Sequence, residues 1–188
     1  MRVFISGGCK NGKSFFAQRL AKAAADNGSG CFVPLYYIAT MRPVDAEDSE
    51  RIARHRDERD GWGFITVEQP CRIEEILRKC DTSGSFLLDS LTALLADEMF
   101  PTDGEVDGGA SSRVAAGLMQ VLSEIDSIVI VSDYIYSDAA IFDSLTEAYR
   151  KSLAEIDRVA ARLCDVVLEI SYAGVIVHKG RELYEKRI

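Results

Sequence analysis

The sequence predicts an α/β fold, a mostly parallel sheet flanked by helices on both faces, and three observations carry that expectation. Short apolar runs alternate with helix-length stretches along most of the chain, which is the pattern of βαβ units. Several of these runs are nearly continuous, as strands buried on both faces must be. The last two are separated only by Ser171-Tyr172-Ala173-Gly174. That is too short for a crossover helix, so a C-terminal antiparallel hairpin is expected at one sheet edge.

The elements follow in order. The first run, Val3–Ile5, leads into Gly7-Gly8-Cys9-Lys10-Asn11-Gly12-Lys13-Ser14 and then into a helical stretch, Ser14–Ala25. G-x-x-x-x-G-K-S between a strand and a helix is a phosphate-binding P-loop. Its glycines let successive backbone N–H groups close around phosphate oxygens, its lysine reaches the β- and γ-phosphates, and its hydroxyl serves the nucleotide's Mg²⁺. The N-terminus of the following helix adds partial positive charge. The fold is thus expected to be that of a P-loop NTPase. Lys13 becomes a candidate catalytic residue, Ser14 a candidate metal ligand, and the whole loop from Gly7 to Ser14 a nucleotide cradle.

Further strands are expected at Leu35–Ala39, Phe64–Val67, Phe86–Leu88, Ile128–Val131, Val166–Ile170 and Val175–Val177, each an apolar run bounded by turn residues. Between them lie helical patterns at Ala46–Arg59, Ile73–Lys79, Leu91–Met99, Ser112–Ile125 and Ser144–Cys164. The first of these is acidic at its start and basic further on, with Glu47/Arg51 and Glu50/Arg54 spaced four apart, as in a surface helix. Pro101 to Ala110 is a glycine- and acid-rich loop. Ligand is expected at the C-terminal ends of the parallel strands.

With 188 residues, 47% of them hydrophobic, the chain fits one nucleotide-binding domain spanning 1–188. A net charge of −8 and a pI near 4.9 argue against a nucleic-acid partner, which needs clustered Lys and Arg. A small-molecule substrate suits this charge better. No run approaches the roughly 18 apolar residues of a membrane span, and the N-terminus enters a strand at once instead of showing a signal peptide. A soluble, cytoplasmic protein is expected. Cys9, Cys31, Cys71, Cys80 and Cys164 form no C-x-x-C pair, which suits reduced thiols better than disulfides or a zinc site. Cys9, inside the P-loop, is either a thiol activated by the loop's dipoles or a filler at a free position of the motif.

Beyond the P-loop, Arg51, His55 and Arg59 share one stripe of their helix. A histidine between two cations tends toward its neutral form, which has the lone pair of a base or nucleophile. From the helix alone, a solvated histidine on a charged face is the plainer reading. His178 reads as an ordinary strand-end residue, and Trp62 and Phe64 as core, interface or ligand-stacking aromatics. A P-loop enzyme also needs a carboxylate at a neighbouring strand end to hold or orient Mg²⁺. Asp89 and Asp133 both have that position, and spacing does not choose between them.

Taken together, Gly7–Ser14, Tyr37-Ile38-Ala39-Thr40, Arg51-Ile52-Ala53-Arg54-His55-Arg56-Asp57, Thr66-Val67-Glu68 and Leu87-Leu88-Asp89-Ser90-Leu91-Thr92 resemble the adenosylcobinamide kinase / adenosylcobinamide-phosphate guanylyltransferase family of cobalamin biosynthesis. The weaker continuation at Arg158 to Val167 resembles the family's C-terminal end. The resemblance implies ATP- or GTP-dependent phosphorylation of adenosylcobinamide, then GMP transfer from GTP through a guanylyl-histidine, with His55 in that position. It implies nucleotide contacts at the P-loop, at Thr40 and Met41, at Arg56, Asp57, Glu58 and Arg59, and at Glu68 and Asp89, and so favours Asp89 for the metal. GTP, ATP and Mg²⁺ are the implied cofactors, a corrinoid the implied partner, and a homotrimer the implied assembly. Two stretches depart from the family pattern. Its Asn-Glu-Val-Gly after the fifth strand reads here as Asp133-Tyr134-Ile135-Tyr136. Its arginine, glycine and Asn-Gln positions read as Arg150, Ala154 and Asp157-Arg158, with only the arginine retained. Two other readings stand beside this one: a diverged P-loop kinase or nucleotidyltransferase with another small-molecule acceptor, and a nucleotide-dependent binding protein without turnover.

Overall fold

A computed structural model describes residues 1–26, 33–43, 50, 53, 56, 59–101, 104–136, 139–172 and 174–186. Its centre is a seven-stranded sheet of order β3-β2-β4-β5-β1-β6-β7. The strands are β1 (Arg2–Gly7), β2 (Leu35–Ala39), β3 (Phe64–Glu68), β4 (Ser85–Asp89), β5 (Ile128–Asp133), β6 (Val166–Ser171) and β7 (Gly174–Lys179). All neighbours pair in parallel except β6 and β7, which form the expected hairpin.

Side chains alternate across each strand, so every strand feeds two cores. On one face Val3, Ile5, Leu87, Val129 and Val131 pack under Ala17 and Ala21 of α1 (Lys13–Asp26). On the other, Phe4, Ile38, Phe86, Leu88 and Ile130 pack under α2 (Ile76–Lys79), α3 (Leu91–Met99), α4 (Ala110–Glu124) and α5 (Ser144–Leu163). The central strands are buried on both sides, which is why they read as continuous apolar runs. β3 differs because it ends the sheet: Ile65 is 46% exposed.

Several boundaries differ from the sequence expectation. The run Ile73–Lys79 splits into a 3₁₀ turn, Ile73–Glu75, and the single α-turn of α2. The helix expected at Ser112–Ile125 starts two residues earlier, at Ala110, because Asp107 and Gly109 already accept the first backbone N–H groups. A short helix, α6 (Arg181–Glu185), follows β7. It is entered through Gly180 at φ 76°, where a Cβ would lie 2.3 Å from the Asp165 carbonyl. Most of the helix expected at Ala46–Arg59 lies outside the described residues, as does Cys31. Cys9, Cys71, Cys80 and Cys164 are free thiols. Among the described residues no helix is long and apolar enough to cross a membrane.

Candidate active site

The parallel register sets the C-terminal ends of five strands side by side. Glu68 pairs with Ala39, Ala39 with Asp89, Asp89 with Val131, and Asp133 with Gly7. The P-loop therefore opens beside both candidate carboxylates. The turn needs its unusual backbone: Lys10 sits at φ 55° and Gly12 at φ 87°, the left-handed region where glycine costs least. Gly7 answers a different demand, because a Cβ there would lie 2.5 Å from both Asn11 Nδ2 and the Ile170 carbonyl. Asn11 ties the loop down, donating from Nδ2 to Ile170 O (2.5 Å) and accepting from Lys13 N (3.2 Å).

The two carboxylates have separate partners. Ser14 Oγ donates to Asp89 Oδ1 (3.5 Å), and Tyr37 OH donates to Asp89 Oδ2 (3.0 Å). Lys13 Nζ instead pairs with Asp133 Oδ1 at 2.5 Å and donates to the Gly8 carbonyl at 3.0 Å. The lysine side chain is only 8% exposed. Burial, with the Asp89 charge adding to it, pushes the Tyr37 hydroxyl well above its ordinary pKa, so it stays a donor to that carboxylate.

Beyond Asp89 the chain turns at Ser90, whose N–H donates to Thr40 Oγ1 (2.7 Å) while that hydroxyl donates back to Ser90 O (2.8 Å). Thr40 is fully buried by this exchange and Met41 is half-buried beside it. Arg59 lies over the Tyr37 ring, its guanidinium carbon 3.4 Å from the centroid. It is 7% exposed, and its Nη1 has no hydrogen-bond partner. A buried guanidinium nitrogen without a partner, over the ring whose hydroxyl meets Asp89, is suited to an anionic ligand. Trp62, three residues on, packs edge-to-face on Phe15 of α1 with ring centroids 5.9 Å apart. Phe64 packs likewise on Tyr37 at 6.1 Å. Trp62 thus packs the Arg59 turn against the P-loop helix, and Phe64 packs β3 against the Tyr37 ring of β2.

Arg56 and Glu68 form a 3.7 Å pair whose side chains are 64% and 77% exposed. Such a pair contributes little to stability. His55, Asp57, Glu58 and Arg51 lie outside the described residues. Cys9 is exposed, with its Sγ 3.8 Å from Asp133 Oδ1. His178 meets Glu169 across the hairpin at 2.8 Å, far from these strand ends in the register.

The loop after β5 forms the remaining wall, and four bonds from three directions fasten it. Asp133 N donates to Thr92 Oγ1 on α3 (2.8 Å), and Tyr134 N donates to the Gly7 carbonyl (2.9 Å). Arg150 Nε of α5 donates to Ile135 O (2.8 Å), and Tyr136 OH donates to Asp157 Oδ2 of the same helix (3.0 Å). Burial pushes the Asp157 carboxyl up to about 7, against the opposing effect of the Ser132 and Tyr136 hydroxyls. Sequence reasoning did not find Tyr37, Thr92 or the Tyr136–Asp157 pair. A tyrosine in a doubly buried strand and an aspartate on the apolar stripe of a helix are the signals that point to them.

The described residues contain no cluster of three or more His, Cys, Asp or Glu side chains placed to hold a metal on their own. A hydroxyl beside a carboxylate, as at Ser14 and Asp89, is instead the oxygen donor set that suits a hard cation sharing its coordination with phosphate.

Comparison with known proteins agrees with this geometry. The fold is similar to a KaiC-like protein from Pyrococcus horikoshii, with a TM-score of 0.50 at 14% identity over 96% of this chain and 79% of that one. Two bifunctional adenosylcobalamin biosynthesis proteins are similar in sequence. CobP of Pseudomonas aeruginosa is 31% identical, covering 89% of this chain and 91% of its own length, and CobU of Salmonella typhimurium is 25% identical, covering 93% and 98%. The profile of the cobinamide kinase / cobinamide phosphate guanyltransferase family matches residues 3–178. With its P-loop, strand-end carboxylates and matched length all in register, the chain belongs to the cobinamide kinase / cobinamide phosphate guanyltransferase family, transferases of cobalamin biosynthesis.

Proposed function

We propose that the protein carries out both reactions of its family on one nucleotide-binding domain: phosphorylation of adenosylcobinamide from ATP or GTP, then GMP transfer from GTP to the phosphate it has made. The single observation that carries this reading is the division of labour at the strand ends. Ser14 is matched to Asp89 and Lys13 to Asp133, so one P-loop presents a metal-side carboxylate and a lysine-side carboxylate at once. Ser14 and Asp89 fit Mg²⁺, directly or through water. Held there, that ion would supply positive charge against the negative charge of the phosphoryl groups. Lys13 and the Arg59 guanidinium add positive charge where phosphate charge builds up, and Thr40, Met41, Arg56, Asp57, Glu58 and Glu68 border the nucleotide.

His55 is the nucleophile of the transfer half-reaction. Its neutral imidazole nitrogen forms a bond to the α-phosphorus of GTP while the bond to the β-phosphate oxygen breaks and pyrophosphate leaves. The acceptor's phosphate oxygen then attacks the same phosphorus and releases the histidine, so one hard transfer becomes two easier ones. The protein works in the cytoplasm as a homotrimer.

The test is to incubate wild type and His55→Ala with Mg²⁺ and GTP labelled at the α- or the γ-phosphate, then to look for acid-labile label on denatured protein. Label from the α-position only, absent in the variant, is expected. Saturable GTP binding with no label in wild type removes the transferase reading. Labelled protein that discharges onto no corrinoid leaves a nucleotidyltransferase with another acceptor, a reading that the substituted loop from Asp133 to Tyr136 would explain.

A further inference from the structure

We propose that Asp133 is both an internal stand-in for phosphate on Lys13 and, once nucleotide displaces it, the general base for the acceptor hydroxyl in the kinase step. The proposal rests on the kinase reading above and adds a residue and a sequence of events to it. The P-loop lysine is the group that reaches for the β- and γ-phosphates, yet here its ammonium is held by a carboxylate at 2.5 Å. That carboxylate is not an adaptable surface group. Its backbone is fixed by the Thr92 hydroxyl, the next residue is fixed by the Gly7 carbonyl, and its own side chain is 19% exposed.

Asp89, by contrast, is already engaged by Ser14 and Tyr37 on the metal side. Incoming phosphate must take Lys13 from Asp133, because two anions compete for one cation in a space with little water to screen them. The freed carboxylate then has no cation partner and lies on the lysine side of the cradle, next to where the γ-phosphate is held. An acceptor hydroxyl approaching that phosphorus in line needs a group there to take its proton. In the step, the acceptor O–H proton passes to an Asp133 oxygen, the acceptor oxygen bonds to the γ-phosphorus, and the bridging Pβ–O–Pγ bond breaks to release the nucleoside diphosphate. As product leaves, Lys13 re-pairs with Asp133 and the proton goes to water.

Asp133→Asn and Asp133→Ala separate the two roles by two readouts. Equilibrium binding of Mg-ATP is expected to be at least about fivefold tighter in both variants, since the competing anion is gone. The kcat for adenosylcobinamide phosphorylation is expected to fall at least about a hundredfold, the scale of a lost general base. Tighter binding also reports that the variants are folded. Binding that is unchanged or weaker in both variants overturns the stand-in role, and phosphorylation within tenfold of wild type overturns the base. Should wild type itself fail to phosphorylate adenosylcobinamide, the kinase reading and the base fall together. The stand-in role is still decided by the binding measurement.

Discussion

Asp157 is the residue where placement and chemistry are most at odds. It is 3% exposed, accepts from Tyr136 through Oδ2, and leaves Oδ1 without a partner. Its carboxyl, ordinarily near 3.8, is raised to about 7 mainly by burial. The native state therefore holds a proton that the unfolded chain has lost between about pH 4 and pH 7, so stability falls as pH rises through that window. The full cost at high pH reaches up to about 4 kcal/mol. Asp157→Asn keeps an acceptor for Tyr136 and removes the charge. Thermal melts should show the variant more stable than wild type at pH 8 and the difference vanishing by pH 4. An equal gap at both values would mean that packing, not ionisation, separates them.

At the scale of elements, α5 is the helix that holds the site's far wall, through Arg150 and Asp157. Its start depends on Asp143, whose side chain accepts from Leu145 N (2.9 Å) and Thr146 N (3.0 Å) while the Thr146 hydroxyl donates to its other oxygen. This caps two of the N–H groups that a helix start leaves orphaned. The Thr146 bonds, from hydroxyl and backbone, hold the Asp143 carboxyl below its ordinary value. The sign is opposite to that of Asp157: the stabilisation is present above the unfolded pKa and is lost as pH falls through the lower, folded one. Asp143→Ala should lower the melting temperature at pH 7 and have a shrinking effect below pH 4, read by circular dichroism. A variant that melts like wild type at pH 7 would show that the packed stripe of α5, Leu153, Ile156 and Ala160, sets its stability without the cap.

The whole molecule is a two-sided sheet whose central strands are sealed and whose two ends are not. β3 and β7 each close one edge, with Ile65 46% and Ile176 47% exposed, and among the described residues neither edge has a further strand. A homotrimer would have a mass of three chains of 20.7 kDa each, and light scattering on purified protein is the direct measurement. A single-chain mass would remove the trimer.

Much of this was legible before any fold was known, and the reason is locality. The P-loop is eight consecutive residues whose glycines, lysine and serine do their work within one turn. The strands β1, β2, β4 and β5 were readable as continuous apolar runs because burial on both faces leaves no polar alternation, and the four residues between the last two apolar runs permitted only a hairpin. The split of Ile73–Lys79, the glycine-led α6 and the exposed β3 were less legible, because each depends on a neighbour distant in sequence or on having none. The pairings that give the site its chemistry join residues far apart in the chain: Ser14 with Asp89, Lys13 with Asp133, Arg59 over Tyr37. Sequence by itself determined which groups the protein owns and the order in which its strands and helices form. Only the tertiary structure decided which carboxylate faces the lysine and which the serine, because the parallel register, not sequence spacing, sets the ends of β1, β4 and β5 side by side.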